Sequence, residues 1–121
     1  MAFEFDTRYY KCKLIKIQDT NILRVNIKCV GGVCLENRKI RFYGVIMPKW
    51  RSKDPDVKKS ADLCMEEIKK FLVVGEEYTL KIYGNDILYF DVFPDKLQGK
   101  SLNQYLLKNG FALNHYIKDL L

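Results

Sequence analysis

Positive side chains interleaved with aromatic rings are the residues of this chain whose types suggest a chemistry. Residues 1–53 carry twelve Lys or Arg and four Asp or Glu, a net charge of +8, whereas residues 54–121 carry nine and eleven, a net charge of −2. Lysine and arginine bind phosphates and acidic surfaces, and nearby rings stack on bases. The basic half therefore predicts a face for a polyanion or an acidic partner, with extra lysine for solubility as the alternative.

The predicted nucleic-acid-binding residues lie on outer positions of three predicted strands and in one loop. They are Lys11, Lys13, Arg24, Lys28, Lys39, Arg41, Tyr43, Lys49, Trp50, Arg51 and Lys53. Trp50 is the most informative member, because it lies between two basic residues in a loop. The structural alternative is that Trp50 covers one end of the fold, that Tyr9 and Tyr43 are half-buried strand residues, and that the lysines form a solvated face.

Length and composition limit the classes of protein that fit. The 121 residues, 14.3 kDa, predict one domain over residues 1–121, and 48% hydrophobic with 30% charged residues argues against disorder and against a minimal disulfide scaffold. No apolar run is long enough for a membrane-spanning helix, so no membrane partner is expected. Acidic residues interrupt the first apolar stretch, which predicts that a secretory signal is absent and that the protein is intracellular, cytoplasmic or nuclear.

The four cysteines, Cys12, Cys29, Cys34 and Cys64, are expected to be free thiols that pack as small hydrophobic residues. Their spacing contains no Cys-x-x-Cys, and His115 is the only histidine. A four-ligand zinc site is therefore not supported, and no metal site is predicted.

Hydrophobic periodicity predicts the elements that must position these side chains. Strands are predicted at 9–18, 22–29, 39–45, 77–83 and 86–93, with helices at 55–73 and after Ser101. In the third strand Ile40 and Phe42 face inward, so that Arg41 faces outward. Three strands, a helix, two strands and a helix form the order of an OB-fold-like barrel, a mainly β protein with α (α+β).

Local signals mark the ends of these elements. Asp54 followed by Pro55 predicts the start of the first helix, and the 101–104 segment is a capping box for the second. Gly84-Asn85 suits a tight turn between two strands, and residues 111–121 are expected to pack as a tail or a third short helix.

Two segments carry a family resemblance. Residues 40–45 (Ile-Arg-Phe-Tyr-Gly-Val) are followed two residues later by Pro48, and residues 99–112 (Gly-Lys-Ser-Leu-Asn-Gln-Tyr-Leu-Leu-Lys-Asn-Gly-Phe-Ala) contain a Leu-Asn pair followed by Leu and then Gly-x-Ala. In their order and spacing around the predicted helix, they resemble the staphylococcal nuclease-like family, which includes the thermonuclease domains. The resemblance covers about residues 9–116 and implies an OB-like barrel.

The same resemblance implies a degenerate catalytic site. Active members of the family are calcium-dependent phosphodiesterases that use carboxylates for the cation, a glutamate base and two arginines. Arg41 matches the first arginine. The other corresponding positions carry residues that cannot replace those groups: Asn21 for a metal-binding aspartate, Ile46 for a second carboxylate, Lys49 for the base, and Asn85 or Ile87 for the second arginine.

We therefore expect a non-catalytic nuclease-like domain that binds single-stranded DNA or RNA through the basic face, without calcium or another cofactor. One alternative is a protein-interaction module for an acidic partner, as in the inactive repeats of Tudor staphylococcal-nuclease proteins. Another is a weakly active calcium-dependent nuclease, for which Asp19, Asp86 or Asp91 would have to form a different site. Arg41 is expected either to bind phosphate or to satisfy polar groups under the barrel rim.

Overall fold

In the computed structural model, the described residues are 8–28, 34–50, 52–84 and 87–114. The elements, in chain order, are strands β1 (Arg8–Asp19), β2 (Ile22–Lys28), β3 (Cys34–Phe42) and β4 (Val45–Ile46), helix α1 (Pro55–Phe71), strands β5 (Glu77–Tyr83) and β6 (Leu88–Phe93), a 3-10 turn (Asp95–Leu97), helix α2 (Leu102–Lys108) and strand β7 (Leu113–Asn114).

Five of these strands close into a barrel in the order β1-β2-β3-β6-β5, with β5 pairing back onto β1. Every pair is antiparallel except β3 and β6, which run parallel. Closure leaves the barrel without a free edge. The predicted α+β fold with a five-stranded OB-fold-like barrel is thus confirmed.

Alternation along the strands fills the barrel. In β2, Leu23, Val25 and Ile27 are buried, while the residues between them face outward. The same pattern buries Ile40 and Phe42 in β3, as the sequence predicts, and the Phe42 ring packs 4.4 Å from that of Phe90, centroid to centroid. This contact joins β3 to β6 across the core.

Helix α1 begins where the sequence predicts. The Asp54 side chain accepts a hydrogen bond from the Asp56 backbone N–H at 2.9 Å, and Pro55 occupies the first turn. The apolar stripe of the helix covers the core with Ala61, Cys64 and Ile68. Burial, with a smaller contribution from the nearby Glu67 carboxylate, raises the pKa of the Cys64 thiol to about 11. This thiol is therefore protonated at neutral pH and packs as a small hydrophobic residue.

Helix α2 is fixed to the barrel by a buried amide. Ser101 caps the helix by accepting from the Gln104 N–H, as predicted. The Asn103 side chain donates to the Tyr43 and Phe90 carbonyls at 3.0 and 2.8 Å and accepts from the Val92 N–H at 3.3 Å. One side chain thus joins the helix to β6 and to the turn that follows β3.

Two predicted boundaries are wrong. The sequence predicts the third strand at 39–45, but β3 spans Cys34–Phe42 because its first half pairs with β2, from Cys34 opposite Lys28 onward. The chain turns at residues 43–44, where Gly44 has a φ of 74°, a value that ordinary side chains resist. The two residues that follow the turn then form β4 as a separate strand.

The segment expected to pack as a tail or a third short helix is described as far as residue 114. Residues 113–114 form β7, which pairs antiparallel with β4, so this part packs as a short strand and not as a helix. Residues 115–121, which include His115, lie outside the described residues. Gly84 has a φ of 98°, and a Cβ there would collide with the Ile87 carbonyl oxygen, so the turn requires glycine. Asn85, the other predicted turn residue, is outside the described part.

Among the residues that the structure describes, no helix has the length and apolar character needed to cross a membrane.

Candidate nucleic-acid interface

Three cations lie side by side on the outer surface of β1, β2 and β3. Lys16 pairs with Arg24, and Arg24 pairs with Lys39, so each residue stands on the strand next to the other. Neighbouring strands are about 4.8 Å apart. The three side chains, called the basic row below, therefore concentrate three positive charges in a band across the sheet.

Arg24, at the centre of the basic row, is held by neutral acceptors. Its Nε donates to the Gln18 side-chain oxygen at 2.8 Å, and its Nη1 donates to the Asn37 carbonyl at 3.3 Å. Asn37 in turn donates its backbone N–H to the Asn26 side chain and has a φ of 51°. These contacts orient the guanidinium without a carboxylate, so its charge is not neutralised by an ion pair in those contacts.

Lys16 was missed by sequence reasoning. With Lys11 and Lys13 facing outward, strict alternation places residue 16 inward. The register between β1 and β2 shifts between Leu14 and Lys16, so both Ile15 and Lys16 are exposed. Such a β-bulge inserts an extra residue and turns the following side chain to the other face. A polar residue at an expected core position was the only sequence signal.

Other predicted basic residues lie away from this row. Lys11 donates to the Thr79 hydroxyl at 2.9 Å, and Lys13 stands opposite Glu77 in the β1–β5 register. Lys28 forms an ion pair of 2.7 Å with the same Glu77, which lowers the pKa of the Glu77 carboxyl through the hydrogen bond and the charge of Lys28. The acidic partner reduces the positive charge of this part of the predicted face.

The predicted basic loop lies against α1. Trp50 leaves 42% of its surface exposed and donates its indole N–H to the Asp62 carboxylate at 3.1 Å. Lys49 and Lys53 are exposed, and the Lys49 carbonyl accepts from the Ser52 N–H. Arg51 lies outside the described residues. The carboxylate of Asp62 ties the tryptophan to the helix, which gives it a structural contact besides its exposed surface.

The turn between β1 and β2 meets the segment that follows β3. Thr20 is buried and donates its hydroxyl to the Pro48 carbonyl at 2.7 Å, while its backbone N–H donates to the Asp19 carboxylate. The Asn21 carbonyl accepts from the Phe42 N–H at 3.1 Å. Asn21, Ile46 and Lys49, three positions of the degenerate site on these two segments, therefore lie at one end of the barrel.

Arg41 lies on β3, and Ile87 lies just before the neighbouring strand β6. Arg41 is half-buried and stands opposite Ile22 on one side and Tyr89 on the other. Ile87 immediately precedes β6 and is 53% exposed, and Ile46 is half-buried in β4. In the strand register, Arg41 therefore stands between an apolar and an aromatic residue. Asn85, the alternative to Ile87, lies outside the described residues.

The acidic residues considered for a different site are separated. Asp19 accepts from Thr20 in the β1–β2 turn, whereas Asp91 on β6 accepts from the Tyr83 hydroxyl at 2.8 Å. Asp86 lies outside the described part. Within residues 8–28, 34–50, 52–84 and 87–114, no three acidic, histidine or cysteine side chains gather as a possible metal site.

A second group of cations lines a cleft between the 3-10 turn and α2, in the half of the chain with a net negative charge. The cleft has a volume of about 630 Å³, and Lys96, Lys100 and Lys108 contribute to its wall together with Gln104 and Asn109. The sequence indicated no such cluster, because the three lysines are spread over thirteen positions among neutral residues. Their proximity results from the turn that precedes α2.

Neither a scan against models of known protein families nor a search of curated proteins finds a match for this chain.

Proposed function

We propose that this protein binds nucleic acid without cleaving it, as a degenerate relative of the staphylococcal nuclease-like family. The single observation that carries the proposal is the basic row of Lys16, Arg24 and Lys39 across β1, β2 and β3. A band of cations on the surface of an OB-fold-like barrel matches the spaced negative charges of a phosphate backbone. Arg41, farther along β3 on the same outer surface, extends the band.

The proposed absence of catalysis is supported by the residue types at the positions that the resemblance assigns to the catalytic groups. A calcium-dependent phosphodiesterase needs carboxylates for the cation and a base for the water. In the positions that the resemblance assigns to them, Asn21 and Ile46 supply no negative charge, and Lys49 repels a cation. We therefore expect binding without a requirement for calcium and without hydrolysis.

The test compares two triple variants that remove the same charge. One replaces Lys16, Arg24 and Lys39 by Gln, and the control replaces by Gln the residues Lys96, Lys100 and Lys108, which line the cleft between the 3-10 turn and α2. Labelled single-stranded and duplex oligonucleotides are titrated at several salt concentrations. If the row contacts three phosphates of a single strand, the first variant reduces the magnitude of the slope of log affinity against log salt by about 2. At low salt it lowers the affinity by about tenfold or more.

The control variant is expected to keep most of the affinity, because its lysines lie away from the row. Equal losses in both variants would mean that only net charge matters and would overturn the assignment to β1–β3. Absence of binding by the unaltered protein at low salt would overturn the proposed function itself. Capture of an acidic protein after nuclease treatment, in that case, would support the interaction-module alternative. Thermal melting of each variant confirms that it is folded.

A further inference from the structure

Aromatic rings cluster on the barrel surface formed by β1, β5 and β6, beside the basic row. We define the aromatic face by its rings and by one central cation: Tyr9, Tyr43, Tyr83, Tyr89, Phe93 and Lys81. The inward residues of the same strands, such as Leu80, Ile82 and Phe90, already fill the core. The rings of the aromatic face are therefore additional to the core.

The strand registers order these side chains into rows. Arg41 on β3 stands opposite Tyr89 on β6, which stands opposite Tyr83 on β5. One step along the strands, Lys81 lies between Asp91 on β6 and Tyr9 on β1. Successive outward residues of a strand are about 6.8 Å apart. The aromatic face is therefore continuous with the outer surface of β3 through Arg41.

The rings contact one another but remain accessible. Tyr43 and Tyr83 are stacked with centroids 4.1 Å apart, and Tyr43 and Tyr89 form a T-shaped pair with centroids 6.4 Å apart. At the other end, Tyr9 lies 5.6 Å from Phe93. Tyr9, Tyr43 and Tyr89 are 62%, 42% and 38% exposed. Three large rings that face solvent on one strand surface are unusual for a sheet face, which is ordinarily polar where it meets water.

A cation lies between the two groups of rings. The Lys81 ammonium is 5.9 Å from the Tyr9 centroid and 5.5 Å from the Tyr83 centroid, at cation–π distance from both. Lys11 on β1 and Arg41 on β3 border the face. Asp91 is the acidic member, and its carboxylate accepts from the Tyr83 hydroxyl. Exposed rings with cations around them are what a strand of unpaired bases and phosphates requires.

We infer that the aromatic face stacks the bases of single-stranded nucleic acid, with Tyr9 and Tyr89 as stacking residues and with Lys81 and Arg41 near the phosphates. The inference rests on the proposed function, and it adds a second surface, which contacts the bases and not only the phosphates. The bases of a duplex are paired and stacked on one another, so their faces are closed to these rings. The face therefore selects single strands, whereas the basic row binds any phosphate backbone.

The experiment separates bases from phosphates. Binding is measured by fluorescence anisotropy with oligo-dT, with an abasic oligomer that has the same number of phosphates, and with a duplex of the same length. The unaltered protein is expected to bind oligo-dT at least about tenfold more tightly than the abasic oligomer, because stacking on each ring contributes about one to two powers of ten. The abasic oligomer and the duplex report the contribution of phosphates.

Ring-retaining variants serve as the matched controls. Tyr9→Ala and Tyr89→Ala should each lower affinity for oligo-dT about tenfold and leave the abasic oligomer unchanged. Tyr9→Phe and Tyr89→Phe should bind oligo-dT as the unaltered protein does, because they keep the ring. Asp91→Asn, which keeps an acceptor for the Tyr83 hydroxyl, should strengthen binding severalfold by removing a negative charge beside Lys81.

Equal affinity for oligo-dT and the abasic oligomer, with no effect of the alanine variants, would overturn the inference and leave the proposed function standing. Failure to bind any of the three probes would instead remove the proposed function. If the alanine variants convert a dimer into a monomer in analytical ultracentrifugation and do not change oligo-dT binding, the aromatic face is an interface between copies of this chain, which also overturns the inference.

Discussion

The basic row and the aromatic face are two outer surfaces of one barrel and are built on the same core, yet they differ in what holds them. Arg24, in the middle of the basic row, is fixed by neutral oxygens of Gln18 and Asn37. Lys81, in the middle of the aromatic face, is fixed by rings on both sides and has Asp91 opposite it. The row is suited to phosphate alone, while the face suits a ligand that carries both rings and charge.

The two surfaces share strand β1 of the closed sheet. β1 is paired with β2 on one side and with β5 on the other. Its bulge near Ile15 turns Lys16 toward the basic row, whereas Tyr9, at the other end of the strand, belongs to the aromatic face. A single strand of twelve residues therefore contributes to both surfaces without a change of core.

The largest expected effect is a loss of stability of the barrel, which carries both surfaces. Phe90→Ala removes a fully buried ring that packs on Phe42 and is expected to lower the free energy of unfolding by about 4 kcal/mol. Urea unfolding measures the change. The neighbouring Tyr89→Ala alters an outward ring of the aromatic face and should cost less than about 1.5 kcal/mol. Equal losses from the two variants would contradict the assignment of Tyr89 to the outer surface.

A smaller loss of stability is expected when the Asn103 side-chain amide, which bonds to β6 and to the turn of Tyr43 in the aromatic face, is removed. Asn103→Ala removes three hydrogen bonds, to the Tyr43 and Phe90 carbonyls and from the Val92 N–H, at a cost of about 3 kcal/mol, although the Phe90 carbonyl keeps the Tyr43 N–H. Hydrogen exchange should show faster opening at β6 and at the turn of Tyr43 than at β2, which carries the basic row. Asn109→Ala, at the exposed end of α2, is the control. Uniform acceleration over the whole barrel would contradict this separation.

Arg41 joins the two surfaces, and its substitution distinguishes their roles. Arg41→Gln is expected to lower affinity about fivefold for oligo-dT and for the abasic oligomer alike, since a guanidinium there contacts phosphate in either ligand. The magnitude of the slope of log affinity against log salt should fall by about 0.7. Salt titrations of both probes measure these values. An unchanged affinity would assign Arg41 the structural role under the barrel rim.

The smallest effect concerns Asp91 and pH. Burial, only partly offset by the Tyr83 hydroxyl and Lys81, raises the pKa of the Asp91 carboxyl above its ordinary value. The folded protein therefore binds this proton more tightly than the unfolded chain, and Asp91 lowers stability as the pH rises from the ordinary aspartate range through the raised pKa.

Asp91→Asn should remove this dependence and raise the melting temperature at pH 7 by a few degrees or less, while having no stabilising effect at pH 3, where the carboxyl is protonated in both states. Thermal melts at both pH values measure the difference. A melting temperature lowered by the substitution at pH 7 would mean that the charged carboxylate stabilises the face.

Much of the fold could be predicted because its signals are local. The alternation of Leu23, Val25 and Ile27 fixes a strand with one buried side, and Asp54-Pro55 fixes the start of a helix, whatever the rest of the chain does. The β3 boundary could not be found in this way, because residues 34–38 join the strand through pairing with β2 and have no alternation strong enough to mark it.

The candidate surfaces could likewise be predicted only in part. The sequence by itself determined the excess of positive charge in residues 1–53, the outward position of Arg24, Lys39 and Arg41, and the absence of carboxylates at positions 46 and 49. These properties follow from residue type and from the two-residue period of a strand.

Only the tertiary structure decided which of these side chains are neighbours. The bulge in β1 brought Lys16 beside Arg24, and the parallel pairing of β3 with β6 placed Arg41 next to Tyr89, 48 positions away in the sequence. Closure of the barrel brought Tyr9 to Lys81 and Phe93. Register between distant strands depends on the packing of their inward side chains in one shared core, and that information is not present in any single segment.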